Sequence, residues 1–95
     1  MILELAILEI KEGSNADFER NIKKAQAVIS QSPGYLSHEF QRCIERPNRY
    51  ILLIKWTSLE AHNIGFRESD LFKDWRGLIG EFFAGPPLVE HYDFF

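Results

Sequence analysis

One histidine of this chain, His62, has a side chain suited to acid–base chemistry. His62 follows a strongly apolar segment and lies in the first turns of a predicted helix. Its imidazole has an unperturbed pKa of about 6.5, so it can accept a proton at neutral pH. His62 is therefore a candidate general base. The alternative is a structural role, in which the ring packs between helix and sheet and donates to a backbone carbonyl.

An arginine follows shortly after this histidine. Arg67 lies between Phe66 and Glu68. A guanidinium stays charged and offers paired donors, so Arg67 can bind an anionic oxygen of a substrate. The alternative is a surface ion pair with Glu68 or Asp70, which contributes little to stability.

Several aromatic side chains could form the walls of a site for a flat molecule: Tyr50, Trp56, Phe66, Phe72 and Trp75. Phe72 and Trp75 lie on an apolar helical stripe, where core packing is the more common role. Tyr50 and Trp56 share a parity on a predicted strand and must face the same side of the sheet. They reach the pocket if that side meets the helices, and otherwise they pack at a dimer contact.

Other chemistries find little support. His38, His62 and His91 come from three separate elements and show no metal-ligand spacing. Cys43 has no histidine beside it that would activate a thiolate. The glycines of the segment 77–80 lie inside a predicted helix, where they favour close packing over phosphate binding. We therefore predict neither a metal nor another cofactor.

The size, composition and charge of the chain restrict its class. The 95 residues correspond to a single domain, 1–95, and 45% hydrophobic with 26% charged residues indicates a globular protein. The net charge of -3 argues against nucleic acid as a partner. A single cysteine favours a reducing compartment, the cytoplasm. No apolar run approaches the ~20 residues of a membrane span, so no membrane partner is expected.

The hydrophobic patterns predict the order strand, helix, strand, strand, helix, strand. Capping-box spacings, Ser14 with Asp17 and Thr57 with Glu60, mark the starts of the two helical regions. The predicted strands cover 2–10, 35–43, 50–56 and 88–92, and the main part of the second helix covers 71–83. This order is the ferredoxin-like, split βαβ plan of the α+β class, with an antiparallel sheet.

The first strand carries apolar side chains on both sides. Leu3, Leu5 and Ile7 share one parity, and Ala6 and Leu8 share the other. The third strand has the same property, so both faces of the sheet require cover. Two helices can cover only one face. We therefore predict a homodimer in which the other face packs against a second copy.

Several short motifs, taken together with their order and spacing, resemble those of the antibiotic biosynthesis monooxygenase family. These are Ser32-Pro33-Gly34-Tyr35, Trp56-Thr57-Ser58-Leu59-Glu60-Ala61-His62, Phe66-Arg67-Glu68-Ser69, Phe72 and Val89-Glu90-His91-Tyr92. The resemblance implies a ferredoxin-like protomer with a pocket between sheet and helices, and a dimeric α/β barrel formed through the sheets.

The resemblance also implies a set of activities. One class oxidises phenols or quinols with dioxygen and no cofactor. In the haem-degrading class, the site residues would fall on Ala6, Phe66 and Arg76, and all three differ here, which disfavours haem degradation. His62 matches a histidine frequent in the family, whereas Leu71 replaces a second one.

The function predicted from the sequence is a cofactor-independent monooxygenase that oxidises a small aromatic or quinol-like substrate with dioxygen. The catalytic residue would be His62, and the substrate-binding residues would be Tyr50, Trp56, Phe66, Arg67, Phe72 and Trp75. The alternative is a non-catalytic small-molecule-binding or stress-response protein of the same fold. An enclosed pocket with a titratable group inside favours the enzyme, whereas an apolar or collapsed pocket favours the binder.

Overall fold

The computed structural model describes all residues 1–95 and has the predicted order of elements. The strands are β1 (Ile2–Glu9), β2 (Tyr35–Arg42), β3 (Arg49–Trp56) and β4 (Leu88–Asp93), and the helices are α1 (Asn15–Ile29) and α2 (Asp70–Ile79). A π-helical segment, Ala61–Phe66, precedes α2, and a short 3-10 turn, Gly80–Phe82, follows it. The ferredoxin-like α+β prediction is confirmed. Neither helix has the length and apolar character needed to cross a bilayer.

The four strands form one antiparallel sheet in the order β2-β3-β1-β4. The sheet does not close on itself, so β2 and β4 are its edges. Pairing with β4 places Glu4 of β1 opposite His91, and pairing with β3 places Glu4 opposite Ile54. Side chains of β3 and of β4 therefore lie next to those of the central strand β1.

The two faces of the sheet differ in their cover. Ala6 and Leu8 of β1 and Leu52 of β3 face the helices and are buried. The opposite parity, which includes Leu3 and Leu53, is only half-buried and has no helix over it. Tyr50 and Trp56 belong to the buried parity, so both lie on the helix side of the sheet. The alternation follows from the pleat, because successive side chains point to opposite faces.

The helix starts differ in detail from the capping-box predictions. Ser14 is the N-cap residue of α1, but its hydroxyl makes no capping hydrogen bond, and Asp17 bonds to Arg20 instead. The region after Thr57 forms a π-helix rather than an α-helix. The second helix is regular only to Ile79, because the chain tightens into a 3-10 turn from Gly80 onward. Burial of apolar side chains therefore stabilises these helical segments more than their capping residues do.

Gly34 sets the position of the π-helical segment against the sheet. Its φ of +88° is accessible to glycine at little cost. A Cβ at this position would lie 2.6 Å from Ala61 Cβ and 2.8 Å from Thr57 Oγ1. The Gly34 carbonyl also accepts a 2.8 Å hydrogen bond from the Thr57 amide. The start of β2 therefore touches the turn that leads directly to His62.

Candidate functional site

A cavity of about 390 Å³ lies between the sheet and the helices. Its walls come from β1, the end of α1, the π-helical segment, α2 and the start of β4. The lining residues are Glu4, Ala6, Leu8, Ile29, His62, Phe66, Arg67, Phe72, Trp75, Arg76, Pro87, Leu88 and Val89. The walls are mainly apolar, with a few polar groups, as is usual for sites that bind small organic molecules.

Glu4 is a buried carboxyl group in the cavity wall. It has the parity of Ala6 and Leu8, which points it toward the helices, and only 4% of its surface is exposed. Its Oε1 accepts a 2.9 Å hydrogen bond from Trp56 Nε1. Burial raises the pKa of Glu4 to about 7, although this hydrogen bond and the charge of Arg67 act in the opposite direction. Glu4 can therefore bind or release a proton at neutral pH.

His62 lies directly beside this carboxyl group. Its Nε2 is 3.3 Å from Glu4 Oε1, and its Nδ1 is 2.8 Å from Nε2 of His91. The ring stacks on Trp56, with 5.2 Å between centroids, and is 4% exposed. Burial, together with the charges of His91 and Arg67, lowers the pKa of His62 to about 4. The imidazole is therefore neutral at pH 7.

The two possible roles of His62 can be compared with this geometry. The structural alternative required a hydrogen bond to a backbone carbonyl, but both ring nitrogens face side chains, those of Glu4 and His91. A neutral imidazole beside a carboxyl group that titrates near neutrality can exchange a proton with it. The arrangement thus provides a base in the wall of an apolar cavity.

Two arginines line the same cavity. Arg67 lies over the Phe72 ring, 5.7 Å from its centroid, and Arg76 lies over the Phe83 ring at 4.8 Å. Neither guanidinium has a carboxylate within 4.0 Å, and Asp70, a predicted partner of Arg67, pairs with Lys73. Both arginines therefore keep their donors available for an anionic group in the cavity.

The predicted aromatic residues divide into two groups. Phe66, Phe72 and Trp75 line the cavity, and the indole of Trp75 also donates to Gln26. Trp56 is not part of the cavity wall, but its indole N–H donates a hydrogen bond to Glu4, which is. Tyr50 lies away from the cavity.

Tyr50 belongs to a separate polar cluster. Its hydroxyl bonds to Glu19 and Asn15. Its ring packs on Phe18 of α1, with 4.8 Å between centroids. Tyr50 shares the face of Trp56, but it stands at the other end of β3, so parity alone did not place it at the cavity.

Three residues of the site were missed from the sequence: Glu4, His91 and Arg76. Glu4 carried a signal, because it is a charged residue at a position whose parity matches the buried side of β1. His91 carried none, because its contact with His62 depends on the pairing of β4 with β1. Arg76 reaches the cavity from the last turn of α2.

The site contains no cluster of ligands for a metal. No group of three or more His, Cys, Asp or Glu side chains is arranged to hold an ion. Ala6, Phe66 and Arg76, the positions compared with haem-degrading enzymes, all line the cavity, and none of these residue types is an iron ligand there. Cys43 is a free thiol after the end of β2 and is not part of the wall.

These features define a small ferredoxin-like α+β protein with an internal cavity, an acid–base pair in the cavity wall and arginines beside it. The sequence profile described as antibiotic biosynthesis monooxygenase matches residues 1–78. The chain therefore belongs to the antibiotic biosynthesis monooxygenase family, and the predicted resemblance is confirmed.

Several individual proteins are similar to this chain. The uncharacterized protein YczJ of Bacillus subtilis (strain 168) is 39% identical over 92 residues, which are 97% of each chain. A putative antibiotic biosynthesis monooxygenase from Bordetella bronchiseptica is 36% identical, with a TM-score of 0.95 over 99% of this chain and 96% of the other. SnoaB from Streptomyces nogalater, a cofactor-independent oxygenase solved as its N63A mutant, is 16% identical, with a TM-score of 0.82 over 97% and 90% of the two chains. The likeness to SnoaB concerns the fold alone.

Proposed function

We propose that this protein is a cofactor-independent monooxygenase that oxidises a small phenolic or quinol-like molecule with dioxygen. The observation that carries the proposal is the Glu4–His62 pair in the wall of a mainly apolar cavity. Membership of the monooxygenase family supports an oxygenase activity at the level of the family. The existence of a cofactor-independent oxygenase on the same fold, SnoaB, agrees with this chemistry.

In the proposed reaction the substrate supplies all the electrons. Removal of the phenolic proton gives a phenolate, from which an electron passes to dioxygen far more easily than from the neutral phenol. One oxygen atom of dioxygen is inserted at a ring carbon to give a quinone, and the other leaves as water. A base is therefore required at the start, and the Glu4–His62 pair fills this role.

Side chains of the cavity suit such a substrate. Phe66, Phe72 and Trp75 offer aromatic walls for a flat ring. Arg67 and Arg76 offer charged donors that bind the phenolate more strongly than the phenol. The aromatic walls can thus bind both the phenol and the phenolate. The arginines stabilise the phenolate more than the phenol.

The proposal extends to the assembly and location of the protein. The uncovered face of the sheet, with Leu3, Leu5, Ile7, Ile51 and Leu53, suits contact with the same face of a second copy. The dimeric α/β barrel that the resemblance to the family implies supports a homodimer. The free thiol of Cys43 suits the cytoplasm.

Oxygen consumption with a panel of phenols and quinols tests the proposed function. We expect the native protein to consume oxygen with at least one of them. His62→Ala and Glu4→Gln should each lower turnover by about 10²- to 10⁴-fold. Raising the pH should partly restore the rate of His62→Ala, because the substrate then ionises without the base.

His38→Ala is the matched control, because His38 bonds to Tyr35 on β2 and does not line the cavity. Its rate should equal that of the native protein. An active native protein whose His62→Ala and Glu4→Gln variants keep full rate between pH 6 and 9 would remove the pair from the mechanism. A cavity that binds the panel without any oxygen consumption would instead favour the non-catalytic small-molecule binder.

A further inference from the structure

A second, smaller cleft lies at the end of β4, next to the main cavity. Its volume is about 200 Å³, and its lining residues are Ile2, Leu59, His91, Tyr92 and Asp93. His91 lines this cleft and not the main cavity, whereas Glu4 and His62 line the main cavity and not this cleft. The contact between His62 and His91 is therefore a polar connection between the two spaces.

The connection consists of three side chains in series. Glu4 Oε1 is 3.3 Å from His62 Nε2, and His62 Nδ1 is 2.8 Å from His91 Nε2. Glu4 and His62 are buried, and His91 is half-buried at the edge strand. Trp56 stacks on the His62 ring and donates to Glu4, which fixes both groups. The chain thus runs from a buried carboxyl group to an accessible imidazole.

Two arrangements of protons satisfy this series of contacts. In the first, Glu4 is a carboxylate, the Nε2–H of His62 points to it, and the Nε2–H of His91 donates to His62 Nδ1. In the second, Glu4 carries the proton and points it to His62 Nε2, the Nδ1–H of His62 donates to His91 Nε2, and His91 carries its own proton on Nδ1. Both histidines are neutral in each arrangement. The two differ by one proton on Glu4 and by the tautomer of each ring.

We propose that Glu4, His62 and His91 form a proton relay that carries the substrate's proton from the main cavity to water in the second cleft. This inference rests on the proposed function for the source of the proton. With both rings in the Nδ1–H tautomer, the substrate O–H bond breaks and its proton binds to the Glu4 carboxylate, which gives the second arrangement. A proton then moves from Glu4 to His62 Nε2, another from His62 Nδ1 to His91 Nε2, and a third from His91 Nδ1 to water, which gives the first arrangement. Before the next turnover both rings return to the Nδ1–H tautomer by turning and exchanging protons with water, and no oxidant or reductant takes part.

The relay explains how the base is reset while the cavity is occupied. A ring bound against Phe66 and Trp75 would separate Glu4 from the water outside. His62 and His91 provide a path for the proton on the other side of Glu4, toward the second cleft. Burial and the charge of Arg67 both disfavour a charged form of the two imidazoles, which suits transit of a proton rather than storage. The other charged group that lines the cleft with His91 is Asp93, which can accept a proton there or pass it to water.

Nitrogen NMR of the histidine side chains tests the relay without any substrate. Two-bond couplings identify which ring nitrogen of His62 and of His91 carries the proton. As the pH rises and Glu4 loses its proton, both rings should change tautomer together, from Nδ1–H to Nε2–H. In Glu4→Gln neither ring should change over the same pH range. His38 is the internal control and should show no change linked to Glu4.

Turnover measurements test the same relay during catalysis. His91→Gln should lower the turnover number about tenfold or more, leave KM unchanged, and regain rate when free imidazole is added. His38→Gln should show neither effect. If His62 keeps one tautomer throughout the Glu4 titration, or if His91→Gln keeps full turnover in an active protein, the relay is wrong. Coupled tautomers in a protein that consumes no oxygen would instead reject the proposed function and retain the relay.

Discussion

Glu4 and His91 lie directly opposite each other in the β1–β4 ladder, yet His62 joins them. The imidazole of His62 comes from the π-helical segment, and its two nitrogens contact the carboxyl oxygen of one residue and the ring nitrogen of the other. A cross-strand pair of the sheet is thus completed by a third residue from the helical layer. The acid–base behaviour of the site depends on this three-part contact.

Removal of His62 should expose the effect of Glu4 on stability. The pKa of Glu4 rises from 4.5 to about 7 on folding, so its contribution to stability is present below pH 4.5 and lost as the pH rises through 7. In His62→Gln we expect the free energy of unfolding to fall by up to roughly 3 kcal/mol across this range. Urea denaturation followed by tryptophan fluorescence at several pH values measures it. A flat profile would show that Glu4 keeps an ordinary pKa.

Removal of Glu4 should reveal the opposite pH dependence. The pKa of His62 falls from 6.5 to about 4 on folding, so its contribution is present above pH 6.5 and lost as the pH falls toward 4. Glu4→Gln should therefore lose stability on acidification. In the native protein the two contributions oppose each other between about pH 4.5 and 6.5, and its profile should be flatter than that of either variant. The same urea titrations, with His38→Gln as control, decide this.

The arginines should act on substrate binding more than on the chemical step. Arg67→Ala and Arg76→Ala should each raise KM, with a smaller effect on turnover, because each removes a charged donor from the cavity. Lys73→Ala removes an exposed charge of α2 that pairs with Asp70 and should change neither constant. Steady-state kinetics on the active phenol or quinol supply the test. Unchanged KM values in both arginine variants would exclude a role in binding.

Gly34→Ala should be more damaging than the same change at Gly13. Both glycines have positive φ, which costs an alanine about 1 kcal/mol or more. A Cβ at Gly13 meets nothing within 4 Å, whereas at Gly34 it meets Ala61 and Thr57 below 3.0 Å. We expect Gly34→Ala to lower the free energy of unfolding by at least 1 kcal/mol more than Gly13→Ala, as measured by urea denaturation. Equal losses would mean that the π-helical segment moves aside easily.

The uncovered face of the sheet should mediate dimerisation. Leu53→Lys places a charge in the middle of this face and should give a monomer, whereas Ile64→Lys, on the exposed side of the π-helical segment, should not. Sedimentation or light scattering at micromolar concentration measures the mass. Deleting Phe94 and Phe95, which are exposed beyond the end of β4, should weaken the dimer. A native protein that is monomeric under these conditions would contradict the prediction.

Local patterns in the sequence were sufficient for the order of the elements and for part of the cavity wall. Helical periodicity depends on neighbours within a few residues, so it placed Phe72 and Trp75 on a face directed toward the core. The two-sided apolar character of β1 and β3 was also readable in this way, because it needs only the parity of each strand. The motifs around His62 were likewise sufficient to suggest the family.

Only the tertiary structure decided which polar groups meet. The contact between Glu4, His62 and His91 joins three segments that are far apart in the chain, and it depends on the β1–β4 register and on the close approach of Gly34 to Ala61. The pKa values of Glu4 and His62 follow from burial, which is a property of the assembled core and not of either residue. Tyr50 shows the same limit, because its parity gave the correct face of the sheet but not the end of the strand at which the cavity lies.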